Sequence, residues 1–144
     1  MSHNELASGI RVSSQLNPDA IAAARAAGIR TIINNRPDGE EAGQPASAAL
    51  EAAARAHGLT YRHIPVTPGN ISDAQVDAFG DALDACPKPA LAFCKSGMRA
   101  ASLWGLSQAG TRATDDIVRR AAACGYDLAP LAARLEARAA AARH

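Results

Sequence analysis

Apolar residues along the chain fall in short bursts separated by longer amphipathic stretches, with Gly, Pro or Asn between them. Ile10–Ser13 alternates and predicts a first strand. Asn17-Pro18 opens a helix, because Asn is a good N-cap and proline is pre-set for the first helical position. That helix runs through Ala27 and stops at Gly28, a natural residue past a helix end. Ile29–Asn34 is a β-branched run and predicts a buried strand, with turn chemistry following at Asn35-Arg36-Pro37-Asp38-Gly39. Ser47–His57 predicts a second helix closed by Gly58, and Thr60–Ile64 a strand. Ser72 caps a third helix through Ala85, in which Val76, Phe79 and Leu83 follow a helical period. Pro87 and Pro89 break the chain before Ala90–Phe93, a short buried strand that leads into Cys94-Lys95-Ser96-Gly97-Met98-Arg99. A helix follows from about Ala100 to Gln108, another from Thr114 to Gly125, and a last one from Asp127 to the C-terminus.

Strands that alternate with helices predict an α/β fold, a three-layer arrangement with a mostly parallel central sheet flanked by helices. No internal repeat or linker interrupts residues 1–144, so a single domain is expected. Ligands bind at the carboxyl ends of the strands in such sheets. The loops at Asn34–Glu40, Pro65–Asn70 and Cys94–Arg99 each leave a strand at that end and are expected to converge.

Composition narrows the classes. A net charge of +1 gives no basic excess for neutralising phosphates, so no nucleic-acid partner is expected. Apolar content of 48% fits a globular core rather than a disordered tail. Aromatics are only 3%, so Ala, Leu, Ile and Val must fill that core. No apolar run is long enough to span a membrane, and the start Met1-Ser2-His3-Asn4-Glu5 lacks the features of a secretory signal. Cys86, Cys94 and Cys124 make an odd set without metal-ligand spacing, so no metal, no cofactor and a reducing cytoplasm are expected.

Candidate chemistry sits at residues 94–99. A cysteine at the end of a buried strand is followed by a tight loop containing Gly97 and then by an arginine where a helix begins. Successive amides in such a loop can form an anion-binding nest, and the helix start adds free N–H groups and a positive dipole end. Arg99 adds a planar charged fork suited to an oxyanion. All three favour thiolate over thiol at Cys94 and make it a candidate nucleophile. Cys86 and Cys124 read as small buried hydrophobes or as incidental. Lys95, Ser96, Gly97 and Met98 would bind substrate mainly through backbone N–H groups, and Asn34, Asn35, Arg36 and Asp38 would border the pocket from the neighbouring loop. The two asparagines could instead simply pin their turn. Trp104 reads as a core anchor, and His57 and His63 as structural.

Ser14-Gln15-Leu16, Ile32 to Glu40 (IINNRPDGE), His63-Ile64-Pro65-Val66 and Phe93 to Arg99 with Leu103-Trp104 together resemble the beta-lactamase-hydrolase-like, phosphatase-like family, also named a sulfur transferase family. The resemblance covers about Ile10 to Gly110 and implies a (phosphotyrosine protein phosphatase)-like fold similar to the dual-specificity phosphatases. Those enzymes carry one more residue between Cys and Arg than the four that separate Cys94 from Arg99. The shorter loop resembles that of rhodaneses, and a smaller ring of donors suits a smaller anion. Phe93 stands where the phosphatases have His, and Ala100 where they often have Ser or Thr. Their Asp general acid has no counterpart in Val66-Thr67-Pro68-Gly69-Asn70, which leaves Asp38 and Asp73 as candidate acids. Asp38 has an equal claim as a turn residue, and Asp73 a better one as a helix N-terminal charge.

The first expectation is therefore sulfane-sulfur transfer through a Cys94 persulfide stabilised by the loop and Arg99. Its partners would be a small anionic or sulfane-sulfur donor and a thiol acceptor, a protein acceptor included. The alternative is phosphate-monoester hydrolysis through a phosphocysteine. The third reading is a non-catalytic anion-binding or interaction domain.

Overall fold

The computed structural model describes residues 4–142; Met1–His3, Arg143 and His144 lie outside the described residues. Five strands form one sheet: β1 (Asn4–Ala7), β2 (Ile10–Ser13), β3 (Thr31–Asn34), β4 (Thr60–His63) and β5 (Ala90–Phe93). Their order is β1-β2-β5-β3-β4. All neighbours are parallel except β1, which returns antiparallel to β2. The helices are α1 (Pro18–Ala26), α2 (Ser47–Ala56), α3 (Asp73–Ala85), α4 (Met98–Gln108), α5 (Thr114–Ala123) and α6 (Ala132–Ala142).

β5 is central and buried along its whole length. Its pleat sends Leu91 and Phe93 to the α1–α2 side and Ala90 and Ala92 to the side of α3, α4, α5 and α6. Small residues on that second face let α4 approach the sheet closely. α4 is wrapped by neighbours, which accounts for the burial of Ala100 through Leu106 in succession. Trp104 is buried there as expected. A Cβ on Gly105 would come within 2.7 Å of Leu128 Cδ1, so this glycine sets how closely α4 meets the turn before α6.

Register brings the predicted loops together. Ser13 pairs with Phe93, Phe93 with Asn34, and Asn34 with His63. Four strands thus end in one row, and the segments after them begin side by side.

Local signals placed most element ends correctly. Asn17 accepts the Ala20 N–H, and Ser72 forms a reciprocal capping box with Gln75. β1 carried no readable period and was not foreseen. α4 starts at Met98 rather than near Ala100, because Gly97 at φ 98° serves as its N-cap. The last helix does not start at Asp127. A 3₁₀ turn, Ala129–Leu131, precedes α6 and contains Pro130. Among the described residues, no helix is long and apolar enough to cross a membrane.

Candidate active site

Cys94 follows the last residue of β5 and is completely buried, at 0% exposure. Its sulfur accepts the Gly97 N–H at 3.1 Å. Two carbonyls of the loop face outward: Lys95 O accepts from Gln15 N at 3.2 Å, and Ser96 O from the Tyr126 hydroxyl at 3.2 Å. Turning carbonyls out leaves amides on the inner side, the arrangement an anion nest requires. Ser96 Oγ accepts the Met98 N–H at 3.2 Å. Gly97 is needed twice over: its φ is positive, and an added Cβ would lie 2.2 Å from the Tyr126 hydroxyl oxygen.

Arg99 sits in the first turn of α4, with its side chain only 11% exposed. Nη1 donates to Glu40 Oε2 at 2.7 Å and to Val66 O at 2.8 Å, and Nη2 donates to Glu40 Oε1 at 3.0 Å. The hydrogen bond to Glu40 raises the pKa of the guanidinium, and the nearby Cys94 sulfur adds to the effect. The Cys94 sulfur lies beside the guanidinium. Glu40 in turn is held down to about 2, first by its hydrogen bond to Arg99 and then, against the cost of burial, by Arg36. A carboxylate thus fixes the guanidinium from behind and leaves its other edge free.

Arg36 is 2% exposed and every nitrogen of its guanidinium is engaged: Nε by Glu40 at 2.7 Å, Nη1 by Gln15 at 3.0 Å and Nη2 by Glu41 at 2.9 Å. Burial works against this charge, but the bonds to Glu40 and Glu41 outweigh it and raise its pKa. Arg36 therefore positions Glu40 with its Nε, and Glu40, Gln15 and Glu41 hold its guanidinium in place.

The other residues expected from the same loop serve the scaffold. Asn34 accepts the Arg36 N–H and donates to Tyr61. Asn35 donates to Ile64 O, and its own side-chain oxygen is buried without a partner. Asp38 accepts the Ser47 N–H at 2.8 Å and so caps α2, which has no cap from its own flanking residue. Asp73 faces α6, where Arg134 at 3.1 Å and Arg138 at 3.0 Å bind it. These arginines hold its carboxyl below the usual range, which suits a clamp better than a proton donor. As read from sequence, His63 is structural and bonds Arg36 O at 2.9 Å.

Sequence reasoning missed Glu40 and Tyr126 as parts of the site. Glu40 lies within the quoted IINNRPDGE run, and a carboxylate on a loop expected beside Arg99 was the available signal. Tyr126 had none. Two openings flank Lys95, Arg99 and Pro68: a cavity of about 310 Å³ that also reaches Arg36 and Glu40, and a groove of about 450 Å³ toward the C-terminal segment. Among the described residues, no group of three or more His, Cys, Asp or Glu is placed to hold a metal ion.

A family model for the beta-lactamase hydrolase-like protein, phosphatase-like domain, matches residues 3–111. A curated relative, the beta-lactamase hydrolase-like protein of Xylella fastidiosa, is 39% identical over 132 residues, which are 90% of this chain and 31% of that protein. The chain therefore spans about a third of that relative. A candidate phosphatase from Neisseria meningitidis is 34% identical with a TM-score of 0.85, over 96% of this chain and 99% of that one. The core catalytic domain of a PP-IP phosphatase from S. cerevisiae, solved with citrate, shares the fold at a TM-score of 0.67 and 16% identity, over 93% and 83% of the two chains. The architecture is that of the phosphotyrosine phosphatase-like α/β proteins.

Proposed function

Because the chain belongs to the family of beta-lactamase hydrolase-like, phosphatase-like domains, we propose that it hydrolyses phosphate esters through a phosphocysteine on Cys94. The observation that carries this reading is the Arg99 guanidinium, held by both oxygens of Glu40 beside the Cys94 sulfur. A fixed, desolvated cation next to a nucleophile supports an anionic transition state without reorganising during the reaction.

The Cys94 thiolate attacks phosphorus, a P–S bond forms and the P–O bond to the leaving group breaks. Loop amides and Arg99 Nε–H hold the equatorial oxygens as charge builds on them. Water then attacks phosphorus, the P–S bond breaks, and inorganic phosphate and thiolate are released. Cys94 is fully buried beneath its loop, so substrate access requires the cover over its sulfur to part locally. The Val66–Asn70 segment holds no carboxylate, Asp38 caps α2 and Asp73 is bound to α6. With no acid supplied from these places, substrates whose leaving oxygen needs little protonation are favoured.

Sulfur transfer was the first expectation, on the short Cys–Arg spacing together with Phe93, Ala100 and the missing carboxylate in Val66–Asn70. The relatives named above support phosphatase chemistry, and sulfur chemistry finds no support among them. The test is phosphate release from 4-nitrophenyl phosphate, with intact-mass detection of the phosphorylated protein. Release that depends on Cys94 and is lost in Cys94→Ser supports the reading. A folded protein that releases no phosphate but acquires a sulfur atom on Cys94 from thiosulfate would overturn it.

A further inference from the structure

We infer that Gln15 is a positioning residue for the reaction at Cys94. Its backbone holds the nucleophile loop, and its side chain holds Arg99 through Arg36 and Glu40. The inference rests on the phosphatase reading and concerns the same site.

Gln15 lies just after β2, which ends at Ser13, the partner of Phe93 in β5. The segment after β2 therefore starts beside the Cys94–Arg99 loop. Gln15 N–H donates to Lys95 O at 3.2 Å, one of the carbonyls turned away from the anion nest. The side chain reaches a different partner. Its Oε1 accepts from Arg36 Nη1 at 3.0 Å, and its Nε2 donates to Leu16 O at 2.8 Å. The second bond settles which end of the amide faces Arg36, because only the nitrogen can donate to a carbonyl. Leu16 is buried with Ile21 and Ala24 of α1, and Asn17 caps that helix. The backbone that carries Gln15 is thus pinned by β2 on one side and α1 on the other.

These bonds close a ring. The path runs from Lys95 O to Gln15, then to Arg36, Glu40 and Arg99, and Arg99 belongs to the same loop as Lys95. Of the three residues that bond the Arg36 guanidinium, Glu40 and Glu41 lie on the loop that carries Arg36 itself. Gln15 is the one that ties this loop to another strand end. Without that tie, Arg36, Glu40 and Glu41 can shift together, and Arg99 follows Glu40 away from the Cys94 sulfur. The reaction needs sulfur and guanidinium at one separation, so such a drift costs rate more than substrate binding.

The residue type fits the place. Arg36, Arg99 and Lys95 already face Glu40 and Glu41. A carboxylate at position 15 would add a third anion near a nucleophile that reacts as thiolate, whereas a neutral amide oxygen accepts from Arg36 without that repulsion. Arg36 is 2% exposed, so removing the acceptor leaves a buried donor unmet and drives the guanidinium to a new position.

The experiment measures kcat and KM of the full chain on 4-nitrophenyl phosphate. Gln15→Met keeps the length of the side chain and loses the acceptor. Its kcat should fall about tenfold or more with KM within about twofold, the signature of a group needed chiefly in the transition state. Gln15→Glu restores an acceptor and should recover most of that loss. Placed in Glu40→Gln, Gln15→Met should cost less than about twofold more, because the path to Arg99 is already broken. Circular dichroism checks folding, and Gln15→Asn, too short to reach Arg36, replaces Gln15→Met if that variant does not fold. A folded variant with wild-type kcat, no recovery in Gln15→Glu, or the full loss in both backgrounds would overturn the inference and leave the phosphatase reading standing. No Cys94-dependent release from the wild-type protein would overturn the phosphatase reading, and the inference with it.

Discussion

Glu40 takes Arg99 with both carboxylate oxygens, at 2.7 and 3.0 Å, across 59 residues of chain. The pair joins the loop after β3 to the first turn of α4, and Arg36 braces it from behind at 2.7 Å. The arginine needed for anion binding is thus oriented by a residue from another loop.

Glu40→Gln keeps the shape but loses the charge and one acceptor. Phosphate release should fall by on the order of 10²-fold, the cost of misplacing a reacting group. The loss should appear mainly in kcat, because Arg99 is most needed in the transition state. A rate within twofold of wild type would show that Arg99 orients itself without Glu40.

The same pair sets a pH dependence. Glu40 has its folded pKa lowered to about 2 from an ordinary 4.5. A lowered carboxylate stabilises the fold fully above the unfolded value, and that contribution is lost as pH falls from about 4.5 toward 2. The difference in thermal midpoint between wild type and Glu40→Gln should therefore be constant near neutrality and shrink across that acid window. A difference that persists unchanged down to the bottom of the window would contradict the assignment.

Tyr126 restrains the nucleophile loop through Ser96 O and closes on Gly97. Tyr126→Phe removes the hydroxyl and its bond, worth about 1 kcal/mol or less at a partly exposed site. Cys94 alkylation by iodoacetamide should then speed up several-fold, since the loop opens more readily. Gly97→Ala meets the hydroxyl oxygen at 2.2 Å and forces an unfavourable φ. It should destabilise by about 1–3 kcal/mol. Adding Tyr126→Phe to it should recover only part of the loss, because the hydroxyl oxygen is gone while the ring carbon Cζ, 2.8 Å from the added Cβ, and the unfavourable φ remain. Denaturant melts of the two single variants and the double variant decide this.

Asp73→Asn should leave phosphate release unchanged and lower stability slightly, since the carboxylate ties α3 to Arg134 and Arg138 of α6. A steep loss of rate, greatest for substrates with poor leaving groups, would instead make Asp73 the missing acid. Initial rates across a series of substituted phenyl phosphates distinguish the two outcomes.

Much of the fold was legible in local chemistry. Asn17-Pro18, Ser72 with Gln75, and the glycines after α1 and α2 marked helix ends, because capping uses atoms within four residues of one another. β1 escaped because a four-residue edge strand has too little periodicity to stand out. Asn34 and Asn35 lie beside Phe93 at the end of β5, whereas Asp38 is at the start of α2, and what these side chains bond to was not legible. A polar side chain on a turn has the same sequence signature whether it meets a substrate, a helix end or a buried hydroxyl.

The sequence by itself determined the alternation of strands and helices, the strand–Cys94–Gly97–Arg99 order, and the absence of a carboxylate in Val66–Asn70. All of these are properties of neighbouring residues. The tertiary structure alone decided that Glu40 serves Arg99, that Arg36 serves Glu40, that Tyr126 covers Gly97, and that Pro130 and Leu131 wall a groove. These partners are distant along the chain, and only the packing of helices against the sheet brings their atoms within bonding distance.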